Sequence, residues 1–144
     1  MLTCTKVWSD IPFAHRAPFH DGHCKLIHGH NWTFEVTFQA ESTDKNGFVF
    51  DFGKLKGIKK TIDDTFDHAF VLAANDPLRS AFEIFTREAN IHNIITLDDC
   101  SAEGIAKFVF GLVDSYIIDE TDARVSVRQV TVREDTRNSA TYSR

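Results

Sequence analysis

A chain of 144 residues, 42% hydrophobic and 26% charged, can bury a core and has no room for a second domain of ordinary size, so residues 1–144 are expected to form one globular domain. Its net charge of −5, with acidic and basic residues interspersed, argues against nucleic acid or an anionic membrane as the main partner. No stretch approaches the ~20 apolar residues of a membrane span, Met1–Lys6 has no leader pattern, and three scattered cysteines (Cys4, Cys24, Cys100) suit a reducing compartment; the expected setting is the cytoplasm.

Val7 to His15 reads as a strand with Val7, Ile11, Phe13 and His15 on one parity, and Pro12 suggests an edge or a bulge. Arg16 to Gly22, with Pro18, Asp21 and Gly22, is a turn-rich loop. Trp32 to Gln39 alternates Trp32, Phe34, Val36 and Phe38 against polar residues, and the same register carried backwards puts His30 and His28 on the apolar side. The turn Asp44-Lys45-Asn46-Gly47 predicts an antiparallel hairpin into Phe48-Val49-Phe50. Asp51 is the expected cap of a helix to about Phe66, with Phe52, Leu55, Lys59, Ile62 and Phe66 in one stripe and Asp67-His68 at its end. Asp76-Pro77 opens an expected helix over 77–89 with Leu78, Ala81, Phe82, Phe85 and Ala89 inward.

Ile94 to Leu97 is a short expected strand. Ser101 and Glu103 start the most regular helix, in which Ile105, Phe108, Val109, Leu112, Val113, Tyr116 and Ile117 recur at helical spacing. From Arg124 to Glu134 a last strand changes its apolar parity between Val125/Val127 and Val130/Val132, which predicts a bulge near Arg128 and Gln129 and puts Glu134 on the Val130/Val132 face. This order predicts an α+β fold, an antiparallel sheet with helices packed on one face.

His28 and His30, two apart on an extended backbone, point to one side, and His15 at the end of another strand can join them. Three imidazoles leave one position of a tetrahedron open, the pattern of a catalytic zinc site; copper, nickel and iron also accept imidazole. His20, His23 and His92 lack such company and read as surface residues. Cys24 is either a small buried hydrophobe or a proton carrier beside the metal. Asp67-His68 is either a solvated helix end or a carboxylate orienting an imidazole. Glu134 either ends a strand in water or faces inward, where a carboxylate suits a ligand with paired N–H donors.

Phe13-Ala14-His15, Cys24-x-x-x-His28-Gly29-His30, Asp51-Phe52-x-x-Leu55-Lys56, Asp67-His68 and Val132-Arg133-Glu134 together resemble the 6-pyruvoyltetrahydropterin synthase family, which includes the bacterial 6-carboxytetrahydropterin synthases of the queuosine pathway. The resemblance runs from about Val7 to Glu134, and the three-residue gap between Cys24 and His28 looks like the carboxytetrahydropterin synthases. It implies a tunnelling fold, a homo-oligomer, commonly a hexamer built as a dimer of trimers, and active sites at subunit interfaces. It further implies zinc on His15, His28 and His30, catalysis by Cys24, Asp67 and His68, a pterin anchor at Glu134, and a cap or pterin contact at Ser101. The implied reaction takes 7,8-dihydroneopterin triphosphate to 6-carboxytetrahydropterin, acetaldehyde and triphosphate. Alternatives are triphosphate elimination to the pyruvoyl product, or a zinc-containing pterin-binding module without catalysis. Phe66 replaces the family's usual Leu before Asp-His, Cys100-Ser101-Ala102-Glu103 replaces Pro-Thr-x-Glu, and the 69–99 segment is longer than in compact members. Arg16, Lys25 and Arg137 are candidates for the triphosphate.

Overall fold

The computed structural model describes all residues, Met1–Arg144. Strand β1 (Leu2–His15) pairs antiparallel with β2 (His28–Ala40), placing His15 opposite His28 and Phe13 opposite His30. β1 carries a bulge: Trp8 faces Phe34 and Ile11 faces Trp32, so Ser9 and Asp10 share one rung, with Asp10 in the left-handed region at φ 58. The extra residue flips the inward parity. Trp8 is therefore buried and Val7 faces out at 47% exposure, correcting the single expected parity of Val7 with Ile11, Phe13 and His15.

The segment Phe48–Phe50 is not a strand, because β1 and β5 (Ser126–Arg133) already occupy both edges of β2. The Asp44 carboxylate instead accepts the Asn46 and Phe48 amides, and Val49 and Phe50 tuck into the core, Phe50 stacking on Phe38. Asp51 accepts the Gly53 amide as expected, but a 3-10 turn (Phe52–Leu55) precedes helix α1 (Lys56–Phe66). Its different pitch advances the buried stripe to Leu55, Ile58, Ile62 and Phe66, leaving Phe52 and Lys59 out of the core.

Strand β3 (Ala69–Ala73), which the periodicity did not separate from its flanks, is an unbroken buried run. It lies between β1 and β4 (Asn93–Leu97), parallel to both, with both faces covered. Helix α2 (Arg79–Ala89) starts two residues after Pro77 and buries none of its residues, so the expected inward face of Leu78, Ala81, Phe82, Phe85 and Ala89 is not a core face. Phe82 packs edge-on against Phe70, which has the opposite parity to core residues Ala69 and Val71. Helix α3 (Ala102–Glu120) begins at Ser101, whose hydroxyl accepts the Gly104 amide, and buries Ile105, Val109, Val113 and Ile117. Opposite Thr37 and Phe38 the β5 register skips Arg128, the expected bulge. A sixth strand, β6 (Ser139–Ser143), pairs antiparallel with β5.

The α+β expectation stands with two differences of detail. The sheet order β4-β3-β1-β2-β5-β6 is mixed rather than antiparallel throughout, and α1 and α3 cover the core face while α2 packs on the reverse of β3. A parallel pair needs a crossover, and α2 supplies the one between β3 and β4. No helix is long and apolar enough to cross a membrane.

Candidate metal centre

The pairing of β1 with β2 brings His15, His28 and His30 together at the end of the sheet where the 16–27 loop closes. One ring nitrogen from each lies within 4.8 Å of the other two. His15 Nδ1 bonds the Cys100 carbonyl at 2.8 Å and His28 Nδ1 bonds the Leu26 carbonyl at 2.7 Å. A carbonyl can only accept, so both rings carry their proton on Nδ1 and keep the Nε2 lone pair free. The Nε2 atoms of His15 and His30 are buried with no hydrogen-bond partner. A buried polar atom without a partner is costly, and two aimed at one point fit a cation there.

Burial pushes the His15 pKa down to about 4, opposed by its bond to Cys100 and assisted by the neighbouring His28 and His30. It is neutral at pH 7, as a ligand must be. Trp32 meets the rings of His15 and His30 edge-on, lies flat on Phe13 with centroids 4.5 Å apart, and donates its indole N–H to the Phe13 carbonyl. These aromatic contacts and carbonyl bonds hold the rings before any ion binds.

Glu134, just past β5, stands over the same cluster with Oε1 3.7 Å from His15 Nε2. Ser101 follows Cys100, whose carbonyl orients His15, so the start of α3 borders the histidines. The Cys24 side chain is exposed, in a 3-10 turn (His23–Lys25), and makes no hydrogen bond. Asp67 Oδ1 lies 2.7 Å from His68 Nδ1, and both side chains are exposed. His68 holds a left-handed backbone (φ 57) and donates its amide to Pro12, three residues back along β1 from His15, a separation of ~10 Å at strand rise. Its clefts include Ala14, Asn31 and Phe70, of the opposite strand parity to the three histidines, and one of them also reaches His30 but not His15 or His28. One chain thus assembles His15, His28, His30 and Glu134, with Ser101 beside them, while Asp67–His68 sits beside Pro12 and shares a cleft with His30 alone of the three histidines.

Two partners of the site had no sequence signal. Cys100 orients His15 through its main chain, which any residue type could do; burial raises its own thiol pKa, and its S–H donates to the Arg16 carbonyl at 2.8 Å. Asp76, expected to cap a helix, does accept the Leu78 amide, but it also forms a buried ion pair with Arg16.

The 6-pyruvoyl tetrahydropterin synthase family model matches residues 4–144. A 6-carboxy-5,6,7,8-tetrahydropterin synthase of Haemophilus influenzae is 32% identical over 114 residues, 76% of this chain and 80% of that protein. One of Rickettsia typhi is 42% identical over 77 residues, 53% of this chain and 55% of that protein, so the chain spans about half the length of this relative. Among solved structures, an uncharacterized protein from Wolinella succinogenes superposes with a TM-score of 0.83 at 19% identity, covering 99% of this chain and 97% of that one. A 6-pyruvoyl tetrahydropterin synthase of Caenorhabditis elegans gives 0.68 at 24% identity, covering 99% and 95%. The structural likeness establishes the fold, the tunnelling fold of these synthases.

Proposed function

The chain belongs to the 6-pyruvoyl tetrahydropterin synthase family, and from that premise we propose that it is a zinc-dependent 6-carboxy-5,6,7,8-tetrahydropterin synthase. It converts 7,8-dihydroneopterin triphosphate and one water to 6-carboxytetrahydropterin, acetaldehyde and triphosphate, in queuosine and 7-deazapurine biosynthesis in the cytoplasm. The observation that carries this reading is the convergence of three imidazoles, two of them oriented by main-chain carbonyls (His15, His28) and two with a buried Nε2 that lacks any other partner (His15, His30). The names of the curated relatives and the three-residue Cys24-to-His28 gap favour the carboxy product over the pyruvoyl one.

His15, His28 and His30 would hold the zinc, which when bound would supply Lewis-acid polarisation of the substrate's side-chain oxygens. The Cys100 and Leu26 carbonyls fix the ring orientations and raise the basicity of the ligands. Cys24, exposed and free of hydrogen bonds, moves a proton at its Sγ. Asp67 holds His68 through Nδ1, leaving Nε2 to take or give a proton. The Glu134 carboxylate accepts paired N–H donors from the pterin, and Ser101, whose Oγ accepts from Gly104, retains its own proton to donate.

Of the three histidines the clefts lined by His68 reach only His30, which supports a site completed by Asp67–His68 of a second copy. This supports a homo-oligomer, and the family resemblance adds the arrangement we propose, a hexamer built as a dimer of trimers. In His28→Ala both zinc and turnover of dihydroneopterin triphosphate are lost. Wild-type zinc stoichiometry in that variant contradicts the ligand set, and metal-replete wild type without turnover contradicts the activity.

A further inference from the structure

Three successive carbonyls run from Cys24 to Leu26, and each is held by a different group. The Cys24 carbonyl accepts the Ala17 amide at 2.7 Å, the Lys25 carbonyl accepts Arg16 Nη1 at 3.3 Å, and the Leu26 carbonyl bonds His28 Nδ1 at 2.7 Å. The short loop between the metal ligands His15 and His28 is thus closed at its neck, and Cys24 sits on that neck.

The group holding the middle carbonyl is itself held. Arg16 Nε donates to Asp76 Oδ2 at 2.7 Å and Arg16 Nη2 to Asp76 Oδ1 at 3.0 Å, a two-pronged pair with an Asp76 side chain that is 0% exposed and an Arg16 side chain 14% exposed. Asp76 is fixed in turn by its amide on the Ala73 carbonyl, its carbonyl on the Arg79 amide, and its Oδ1 on the Leu78 amide. The Arg16 guanidinium lies over the Phe82 ring of α2, and the Arg16 carbonyl accepts the Cys100 S–H, while Cys100 orients His15. A guanidinium committed to a buried carboxylate in this way is a brace rather than a free phosphate clamp, which removes Arg16 from the triphosphate candidates.

The geometry points to Arg16 and Asp76 as positioning residues for Cys24: the 74–79 turn, through Asp76, grips the Arg16 fork so that Nη1 reaches the Lys25 carbonyl, and so fixes the cysteine backbone relative to His28. This rests on the proposed catalytic role of Cys24. It also assigns a task to the segment between β3 and β4, since Asp76 and Phe82 both belong to it.

The test uses the full-length, zinc-loaded protein carrying Arg16→Lys, which keeps the charge and loses the fork. A second variant, Arg16→Met/Asp76→Leu, replaces both charges with apolar groups of similar volume, because removing only one member of a buried pair threatens folding. Backbone hydrogen exchange reads the loop, and steady-state kinetics on dihydroneopterin triphosphate reads the cysteine. In either folded variant the Ala17 amide exchanges about 10-fold faster or more while the core amide of Val36 is unchanged. Zinc content stays at the wild-type value, and kcat falls by about 10- to 100-fold with KM within about 3-fold. Unchanged Ala17 exchange overturns the inference, and so does faster exchange with undiminished kcat. If wild type itself turns over no pterin, the proposed function fails, while the exchange result still decides whether Arg16 and Asp76 hold the loop.

Discussion

At His15 burial and hydrogen bonding act on different ring nitrogens: burial keeps Nε2 free of a proton, and the Cys100 carbonyl holds the proton of Nδ1. Burial lowers the ring pKa from 6.5 to about 4, and the Cys100 carbonyl selects the Nδ1–H tautomer. Above pH 6.5 the ring is neutral folded or unfolded, so its titration contributes nothing to stability. Between 6.5 and about 4 the unfolded chain binds a proton that the folded chain refuses, so stability falls with falling pH, by up to about 3 kcal/mol over that window. Urea melts of metal-free protein at pH 7.5 and 4.5 will therefore show a loss that is smaller by that amount in His15→Gln; equal losses contradict the account. The facing of His28 and His30 was legible in the sequence because strand parity fixes it, and the pairing of His15 with His28 completes the set. The Arg16–Asp76 pair was not legible. It joins residues 60 apart through loops that have no periodicity, and an Asp before Pro carries an equally good local reading as a cap.

The unbroken patterns of β2 and α3 were placed correctly and the β5 bulge showed as a change of parity, whereas the inward faces of β1 and α1 were each displaced by a local backbone event. The β1 bulge moves the inward set from Val7 to Trp8, and the 3-10 turn before α1 replaces Lys59 by Ile58 in the stripe. Neither event has a residue signature strong enough to announce it. β3 is five apolar residues buried on both faces, so it has no alternation to detect. Phe66 is where α1 meets the aromatic core: fully buried, it packs within 5.0 Å of Phe13, 5.3 Å of Phe34 and 5.9 Å of Phe108, centroid to centroid. Phe66→Ala should destabilise the chain by about 3–5 kcal/mol in urea unfolding. A loss below about 1 kcal/mol would mean that α1 does not seat against β1 and β2 as described.

For the molecule as a whole, the sheet ends at β4 on one side and β6 on the other, and unpaired edges are surfaces for further strand pairing. The proposed site, with one chain's Asp67–His68 beside another's histidines, requires assembly. Light scattering in solution should give six times the 16.3 kDa of one chain; a species of single-chain mass retaining full turnover contradicts a site shared between copies. The most direct test of the central claim is the product balance of zinc-loaded protein incubated with 7,8-dihydroneopterin triphosphate. The account predicts that acetaldehyde and triphosphate appear together in equal amounts with 6-carboxytetrahydropterin. Triphosphate release with a pyruvoyl product and no acetaldehyde would contradict it.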